Sequence, residues 1–320
     1  MSTPYIPCLD LGSYIDGTEE QRKKFSDELG RAFNDSGFVT ITNHGVSQEL
    51  IDQLYKNIKA VFALSPEQKS KYEKPELAGQ RGYTSPGKET AKGAKTADLK
   101  EFWQIGQEVS DGDAIKSEYP DNEYLEELPE FNEVTREIYV KLENNGKHLL
   151  RAISTYLGLP VDYFDKQVHN GNSILRGIHY FPIENPEAIP DDAVRAGAHE
   201  DINLITLLIG ASADGLEVLT RSNEWLPIKA HHSDIVVNVG DMLQRLTNNK
   251  LRSTTHRVVN PPRELMKTSR FSVPFFLHPR SDMDLTSLSS CIDAEHPKVY
   301  TDMTAGEYLD ERLREIGLKK

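Results

Sequence analysis

The stretch AGAHEDINLITLLIG, residues 196–210, places two polar side chains, His199 and Asp201, at the start of an apolar run. Burying polar groups beside a strand that packs into a core is unfavourable unless a partner compensates for their desolvation. If the stretch is a strand, a spacing of two residues puts both side chains on one face. The pattern therefore indicates a site that needs a third partner from elsewhere in the chain.

A second strand-like run, RSTTHRVVN (residues 252–260), supplies that partner as His256. Two histidines and one carboxylate form the facial triad of non-haem Fe(II) oxygenases. Three protein ligands on one side of an octahedral metal leave three positions open, which suits dioxygen and a bidentate co-substrate. We therefore predict His199, Asp201 and His256 as metal ligands.

A third motif lies fourteen residues beyond His256, where RFS places Arg270 and Ser272 on one face of another predicted strand. A planar guanidinium beside a hydroxyl suits a carboxylate. An arginine that points into a protein interior is costly unless an anion pairs with it. The two residues are therefore predicted to bind the carboxylate of a small acid.

The rest of the chain reads as helices followed by short strands. From about residue 172, short apolar runs separated by turn residues indicate a β-sandwich or barrel and not alternating βαβ units. Before them, hydrophobic spacing and capping residues predict strands at 5–11 and 38–45, helices at 18–37, 47–64 and 129–157, and a loop at 74–101. A last helix is predicted at 304–317.

Composition narrows the class of protein. The 320 residues carry 37 basic and 50 acidic side chains, a net charge of −13, which argues against nucleic acid or an anionic membrane as main partner. No apolar run is as long as a membrane span, and the first residues lack the pattern of a secretory signal. Two cysteines, Cys8 and Cys291, cannot form a disulfide framework. We expect a cytoplasmic protein, monomeric or a weak homo-oligomer.

Taken together, these motifs resemble the isopenicillin N synthase-like branch of the Fe(II)/2-oxoglutarate-dependent dioxygenases. The resemblance covers nearly the whole chain, because further segments follow the family's signatures in order. They are IPCLDL (6–11), GFVTITNHGV (37–46), HEDINLITLL (199–208), GLEVL (215–219), VVNVGDMLQRLTNNKLRSTTHRVVNP (236–261) and RFSVPFFLHP (270–279).

The resemblance implies a mainly β fold with α-helices, in which a double-stranded β-helix (jelly-roll) core is flanked by N-terminal helices and a C-terminal helix. It implies four regions: an N-terminal region of helices and strands (1–110), a helical bridge (111–170), the jelly-roll oxygenase core (171–285) and a C-terminal helical tail (286–320). Fe(II), 2-oxoglutarate and O2 are the implied cofactors, with ascorbate as an assay additive.

The implied reaction hydroxylates, desaturates or cyclises a small organic substrate and releases succinate and CO2. Arg270 and Ser272 would grip the distal carboxylate of 2-oxoglutarate. Many plant members carry Asn-Tyr-Tyr where this chain has His179-Tyr180-Phe181. Phe181 lacks the hydroxyl of the last tyrosine, and His179 is the candidate to replace the asparagine at the co-substrate.

Seven side chains are candidates for the substrate pocket. Gln244 and Leu246 are predicted on a strand that crosses it, and for the aromatic residues core packing is the alternative. The candidates are Tyr83, Phe102, Trp103, Phe181, Gln244, Leu246 and Phe276.

Two other functions stay open from the sequence. An iron oxidase of the isopenicillin N synthase or aminocyclopropane carboxylate oxidase kind would not use 2-oxoglutarate, and a non-catalytic protein could bind a metal or a small acid in the same barrel. A rival metal cluster, His231-His232-x-Asp234, is predicted to be a solvated loop, because adjacent strand residues point to opposite faces. The basic loop 88–100 is predicted to be a solvated face, with a lid over an anionic substrate as the alternative.

Overall fold

The computed structural model describes residues 5–77, 79–88, 100–188, 194–210 and 215–315. Its α-helices are α1 Leu11–Ile15, α2 Glu19–Asp35, α3 Gln48–Phe62, α4 Pro66–Ser70, α5 Pro129–Tyr156, α6 Asp165–Val168, α7 Asp241–Leu246 and α8 Ala305–Glu315. Its strands are β1 Cys8–Asp10, β2 Phe38–Thr42, β3 Gly82–Thr84, β4 Lys100–Gly106, β5 Ile174–Tyr180, β6 Val194–His199, β7 Ile205–Ile209, β8 Leu216–Leu219, β9 Trp225–Pro227, β10 Ile235–Val239, β11 His256–Val259 and β12 Arg270–Leu277.

Two sheets form the centre of the molecule. The larger has the strand order β1-β2-β10-β7-β12-β5-β4-β3, and the smaller has the order β6-β11-β8-β9. The chain passes back and forth between the sheets from β5 to β12, so that each sheet receives four of these eight strands. This is the predicted double-stranded β-helix, and its β-strand content agrees with the sequence pattern after residue 172.

The alternation of side chains along β12 shows why the larger sheet lies between the helices and the smaller sheet. Val273, Phe275 and Leu277 belong to the main hydrophobic core. The residues between them point to the other face, towards the smaller sheet. Helices α3 and α5 pack on the outer face of the larger sheet. Each apolar face of this sheet is therefore covered, one by helices and one by the second sheet.

The N-terminal region contributes more strand than its sequence predicts. Strands β1 and β2 extend one edge of the larger sheet, and β4 and β3 extend the other. Strand β3 and the start of β4 occupy part of the predicted loop at 74–101, whose residues 89–99 lie outside the described residues. The four-region division stays a prediction, since one sheet combines strands from the first and third regions.

The predicted helices are present, with the expected start signals. Thr18 and Gln21 form a capping box at the start of α2, and the Ser47 side chain accepts from Leu50 N at the start of α3. Helix α8 confirms the predicted C-terminal helix. Within the described ranges, no helix combines the length and apolar character needed to cross a membrane.

Candidate metal centre

A cavity of about 430 Å³ lies between the two sheets. Its wall is made by inward-facing residues of β5, β7, β10 and β12 on one side and of β6, β8 and β11 on the other. Helix α8 closes part of the rim with Leu309, Arg312 and Leu313. The volume falls in the range of sites that bind small molecules.

His199 and His256 meet on neighbouring strands of the smaller sheet. His199 ends β6, His256 begins β11, and the two residues are direct antiparallel partners. Directly paired residues hold their side chains close together on one face, and the ring centroids are 4.4 Å apart. The pairing of β6 with β11 therefore builds two thirds of the predicted triad.

Asp201 completes the cluster from the turn after β6. The strand ends at His199, so the predicted continuation of one strand through Asp201 is wrong, yet the two side chains still converge. Asp201 Oδ2 accepts hydrogen bonds from Thr206 Oγ1 at 2.6 Å and Asn238 Nδ2 at 2.8 Å. Its Oδ1 lies 3.9 Å from Nε2 of each histidine.

The hydrogen bonds of the two imidazoles orient their free nitrogens. Nδ1 of His199 lies 2.8 Å from the Gly197 carbonyl oxygen, and Nδ1 of His256 lies 3.1 Å from that of Thr254. A carbonyl oxygen only accepts, so each Nδ1 carries the proton, and each Nε2 presents a lone pair. Such a bond at the second nitrogen is usual for histidines that bind metals.

The donor set fits a divalent iron ion. One potential ligand atom from each of His199, Asp201 and His256 lies within 4.8 Å of the others. Burial raises the pKa of the Asp201 carboxyl, but His256, His199 and the two hydrogen bonds outweigh it, so the pKa lies below its ordinary value. Burial and the adjacent His199 lower the pKa of His256. The cluster thus holds a carboxylate and a neutral imidazole, the forms that bind metals.

The turn that carries Asp201 is held by the segment after β10. Asp241 N donates to Asp201 O at 2.7 Å, and Gly240 N donates to Leu204 O at 2.9 Å. A Cβ atom at position 240 would lie 2.2 Å from the carbonyl oxygen of Asn203. Only glycine allows this approach of the two backbones.

We therefore expect Gly240→Ala to displace the Asp201 turn and to lower the free energy of unfolding by about 1–3 kcal/mol. Metal affinity should fall as well, because Asp201 would leave its place opposite the two histidines. Urea unfolding without metal and a metal titration measure the two effects separately. A variant with unchanged stability and metal affinity would show that the close contact has no bearing on the centre.

Arg270 and Ser272 also line the cavity, both from β12. The Arg270 guanidinium carbon lies 5.2 Å from the ring centroid of Tyr180, its partner on β5. Burial and the neighbouring charge of Arg270 lower the pKa of the Arg195 guanidinium. The positive charges of Arg195 and Arg270 repel each other, and an anion bound beside them would relieve the repulsion.

His179 does not face this cavity, so its prediction as a co-substrate ligand is wrong. Its Nδ1 lies 2.7 Å from Glu101 Oε1 and its Nε2 lies 2.9 Å from Ser269 Oγ. Glu101 Oε2 accepts further bonds from Lys69 Nζ at 2.8 Å and from Tyr83 at 2.5 Å. On β5, Tyr180 faces the cavity and His179 the opposite side, where it joins a buried polar network.

Tyr83 belongs to the same network, because its hydroxyl donates to Glu101, and it does not line the cavity. Trp103 is fully buried in the helix-side core beside Tyr72 and Phe131. Phe181 packs on the His179 ring, with centroids 4.7 Å apart. For these three aromatic residues, packing outside the cavity replaces the predicted pocket role.

Phe102 and Phe276 lie on the cavity side. Phe276 lines the cavity. Phe102 belongs to the buried cluster between the sheets, and its ring lies 4.4 Å from the guanidinium carbon of Arg176, a residue of the cavity wall. Substrate contact stays a prediction for Phe276, whereas Phe102 supports the wall from behind.

Gln244 and Leu246 lie on helix α7, and the predicted strand across the pocket is wrong. Leu246 is buried in the main core. Gln244 Oε1 accepts from Ser253 N at 2.8 Å, and its Nε2 donates to Tyr300 at 3.2 Å. Neither residue belongs to the cavity wall as described.

The rival cluster lies in a turn, and its histidines are solvated as predicted, whereas Asp234 is buried. His231 and His232 are exposed, and Asp234 Oδ2 accepts from the His231 backbone at 2.9 Å. Among the described residues, the metal-compatible group is the one formed by His199, Asp201 and His256.

Sequence reasoning missed several polar residues of the wall: Lys100, Gln104, Arg176, Tyr180, Asn238 and His278. The signal for Arg176 and Tyr180 is the period-two alternation of β5, since both share a face with Ile174 and Ile178. His278 directly follows β12, where no other potential ligand lies at metal-binding spacing in the sequence.

Comparisons with known proteins agree with this geometry. Residues 6–127 match the family of the N-terminal region of non-haem dioxygenases in morphine synthesis, and residues 171–279 match the 2OG-Fe(II) oxygenase superfamily. The proline hydroxylase buaE of Petromyces alliaceus is 33% identical over 96% of this chain and 98% of its own. The 2-oxoglutarate-dependent dioxygenase frbA of a Dothideomycetidae species is 31% identical over 96% of each chain.

Two solved structures share the fold. A protein assigned to the 2OG-Fe(II) oxygenase family from Caulobacter crescentus is 44% identical, with a TM-score of 0.87 over 98% of this chain and 100% of its own. A full-length protein of Neurospora crassa, solved with alpha-ketoglutarate (2-oxoglutarate) and thymine, is 27% identical, with a TM-score of 0.84 over 97% and 96% of the two chains. The chain belongs to the 2OG-Fe(II) oxygenase superfamily, as a dioxygenase that uses Fe(II), 2-oxoglutarate and O2.

Proposed function

We propose that this dioxygenase hydroxylates a small organic molecule in the cavity between its two sheets. His199, Asp201 and His256 bind the iron, and Arg270 with Ser272 binds the distal carboxylate of 2-oxoglutarate. The observation that carries the proposal is the convergence of the three ligand atoms at one wall of a cavity whose lining also contains Arg270 and Ser272.

Bound Fe(II) would supply the oxidising chemistry, in which O2 delivers one oxygen atom to 2-oxoglutarate, giving succinate and CO2, and the other to the substrate. The residues of the chain hold the metal ligands in position. The hydrogen bonds from Thr206 and Asn238 fix the Asp201 carboxylate, and those to the Gly197 and Thr254 carbonyls fix the two imidazoles. His199, Asp201 and His256 would hold the iron as a facial triad, an arrangement that would leave room at the metal for the co-substrate and O2.

The apolar part of the wall keeps water from the reacting carbon. Ile178, Leu208, Val236 and Phe276 line the cavity from the larger sheet. A small organic substrate suits this mixed lining, and the name of the relative buaE, a proline hydroxylase, supports hydroxylation as the outcome. The oxidase alternative has less support, because the relatives frbA, htyE and gloF are named 2-oxoglutarate-dependent dioxygenases.

We expect the purified chain with Fe(II), ascorbate and 2-oxoglutarate to form succinate slowly without substrate and faster with substrate. Mass spectrometry of succinate, alongside measured O2 uptake, tests this expectation. Matched reactions without iron or under nitrogen should form none. Oxidation of a substrate with O2 uptake but no succinate would contradict the proposed co-substrate site and favour the oxidase alternative.

A further inference from the structure

Arg176 brings a permanent positive charge into the cavity wall. It lies in the middle of β5 and its side chain lines the cavity. Its Nε donates to Gln104 Oε1 at 2.8 Å. The guanidinium carbon lies 4.4 Å from the Phe102 ring centroid and 5.4 Å from that of Phe276. The side chain is therefore held by an amide and two aromatic rings, which fix its direction.

The other basic side chains of the described cavity wall lie elsewhere than Arg176. Arg312 donates to Glu315 at 2.8 Å on the rim helix α8. Lys100 and Arg270 both pair in register with Tyr180, so they share one end of β5. Arg176 lies four residues before Tyr180, about 13 Å along the strand. The backbone positions of Arg176 and Arg270 are therefore well apart on the cavity wall.

His278 adds a second polar group on the Arg176 side of the cavity. Its imidazole lines the cavity, the residue is only 8% exposed, and its Nδ1 is buried with no hydrogen-bond partner among the described residues. Burial lowers the pKa of His278 to about 4; the charge of Asp201 opposes this effect, and the charge of Arg176 adds to it. The ring is therefore neutral at pH 7, and its unpaired Nδ1 is available to a polar atom of a ligand.

Phe276 connects Arg176 with the metal centre. Phe276 pairs with Thr206 on β7, and the Thr206 hydroxyl donates to Asp201. The strands β5 and β7 lie on the two sides of β12, so about 10 Å separates them. A ligand whose charged end binds Arg176 would lie across the Phe276 ring, with its carbon skeleton directed at the triad.

We propose that the substrate of this enzyme is a carboxylic acid whose carboxylate binds Arg176 and whose polar atoms contact His278, with its apolar body on Phe276. The proposal rests on the proposed function, since it assigns the substrate class of that same cavity. A carboxylate matches the planar guanidinium in geometry as well as charge.

The test compares carboxylic acids with their primary amides, which have nearly the same shape but no charge. The pairs are phenylacetic acid, hexanoic acid, cyclohexanecarboxylic acid and L-leucine with their amides. Each acid and each amide is titrated calorimetrically under nitrogen into two preparations of the protein. One is loaded with Fe(II) and excess 2-oxoglutarate, and the other contains neither Fe(II) nor 2-oxoglutarate. We expect at least one acid to bind roughly 10- to 100-fold more tightly than its amide.

Arg176→Gln should abolish this preference for the acid, and Arg176→Lys should restore part of it. Arg257→Gln is the matched control, because Arg257 is also a partly buried strand arginine but pairs with Glu217 away from the cavity. It should keep the full preference. His278→Phe, which keeps the ring without its nitrogens, should weaken binding of the acid by a smaller factor.

Three results would overturn the proposal: every amide binding as tightly as its acid, a preference that survives in Arg176→Gln, or an equal loss of 2-oxoglutarate affinity in that variant. The last result would place Arg176 in the co-substrate site. Failure of the wild-type protein to bind 2-oxoglutarate would instead contradict the proposed function. The titration without cofactors still tests the Arg176 site in that case.

Discussion

His199→Ala is expected to remove iron binding and catalysis while the chain stays folded. The His199 side chain is 42% exposed, and its Nδ1 bonds to a carbonyl of its own strand, so its truncation opens no cavity in the core. Groups that only orient metal ligands contribute 10- to 100-fold to affinity. Loss of a ligand itself should therefore weaken iron binding by roughly 100-fold or more.

Iron content after anaerobic gel filtration and circular dichroism of the same sample measure the two parts of this expectation. Succinate formation should fall to the level of the reaction without iron. His232→Ala is a matched control, because His232 is similarly exposed but belongs to the turn at 231–234. If His199→Ala retained iron and activity at the level of the control, the ligand assignment would be refuted.

The pair His199 and Asp201 was predictable because its signal is local and chemical. A spacing of two residues brings His199 and Asp201 together even though the strand ends between them, and the residue types limit what the pair can bind. Local spacing does not predict the contact between His199 and His256. It depends on the antiparallel register of β6 with β11, and register is set by packing across the whole sheet.

The error at His179 has the same physical origin. Successive strand residues point to opposite faces, so a shift of one position exchanges cavity and core. The family motif predicts which residues lie near the co-substrate, but the pairing of β5 with β4 and β12 decides which side each one faces. Tyr180 therefore faces the cavity, and His179 bonds to Glu101 behind it.

Helix α7 illustrates a different limit. A short apolar run is compatible with strand or helix, and periodicity alone does not separate them. Gly240 precedes the helix, and Asn248 and Asn249, both with positive φ, follow it. These turn residues bound a six-residue segment, which is long enough for a helical turn and too short to show its period. Leu246 consequently lies in the core instead of the pocket.

Arg270→Lys is expected to raise the 2-oxoglutarate concentration needed for turnover by roughly 10- to 100-fold. An ammonium cannot reproduce the two parallel hydrogen bonds of a guanidinium to a carboxylate, and hydrogen bonds to charged groups contribute about 1.5–3 kcal/mol each. Iron binding should be unchanged, since Arg270 is not in the metal cluster. Calorimetric titration of 2-oxoglutarate into Fe(II)-loaded protein under nitrogen measures the affinity, and initial rates of succinate formation measure the requirement.

The loss can be traced to the distal carboxylate with 2-oxopentanoate, which has the same metal-chelating end but lacks that group. Wild-type protein should bind 2-oxoglutarate much more tightly than 2-oxopentanoate, and Arg270→Lys should reduce this ratio while it leaves 2-oxopentanoate affinity nearly unchanged. Arg257→Lys is the matched control, because Arg257 pairs with Glu217 outside the cavity. If Arg270→Lys kept the wild-type ratio, the distal carboxylate would bind elsewhere, and the assignment of Arg270 to the co-substrate site would be refuted.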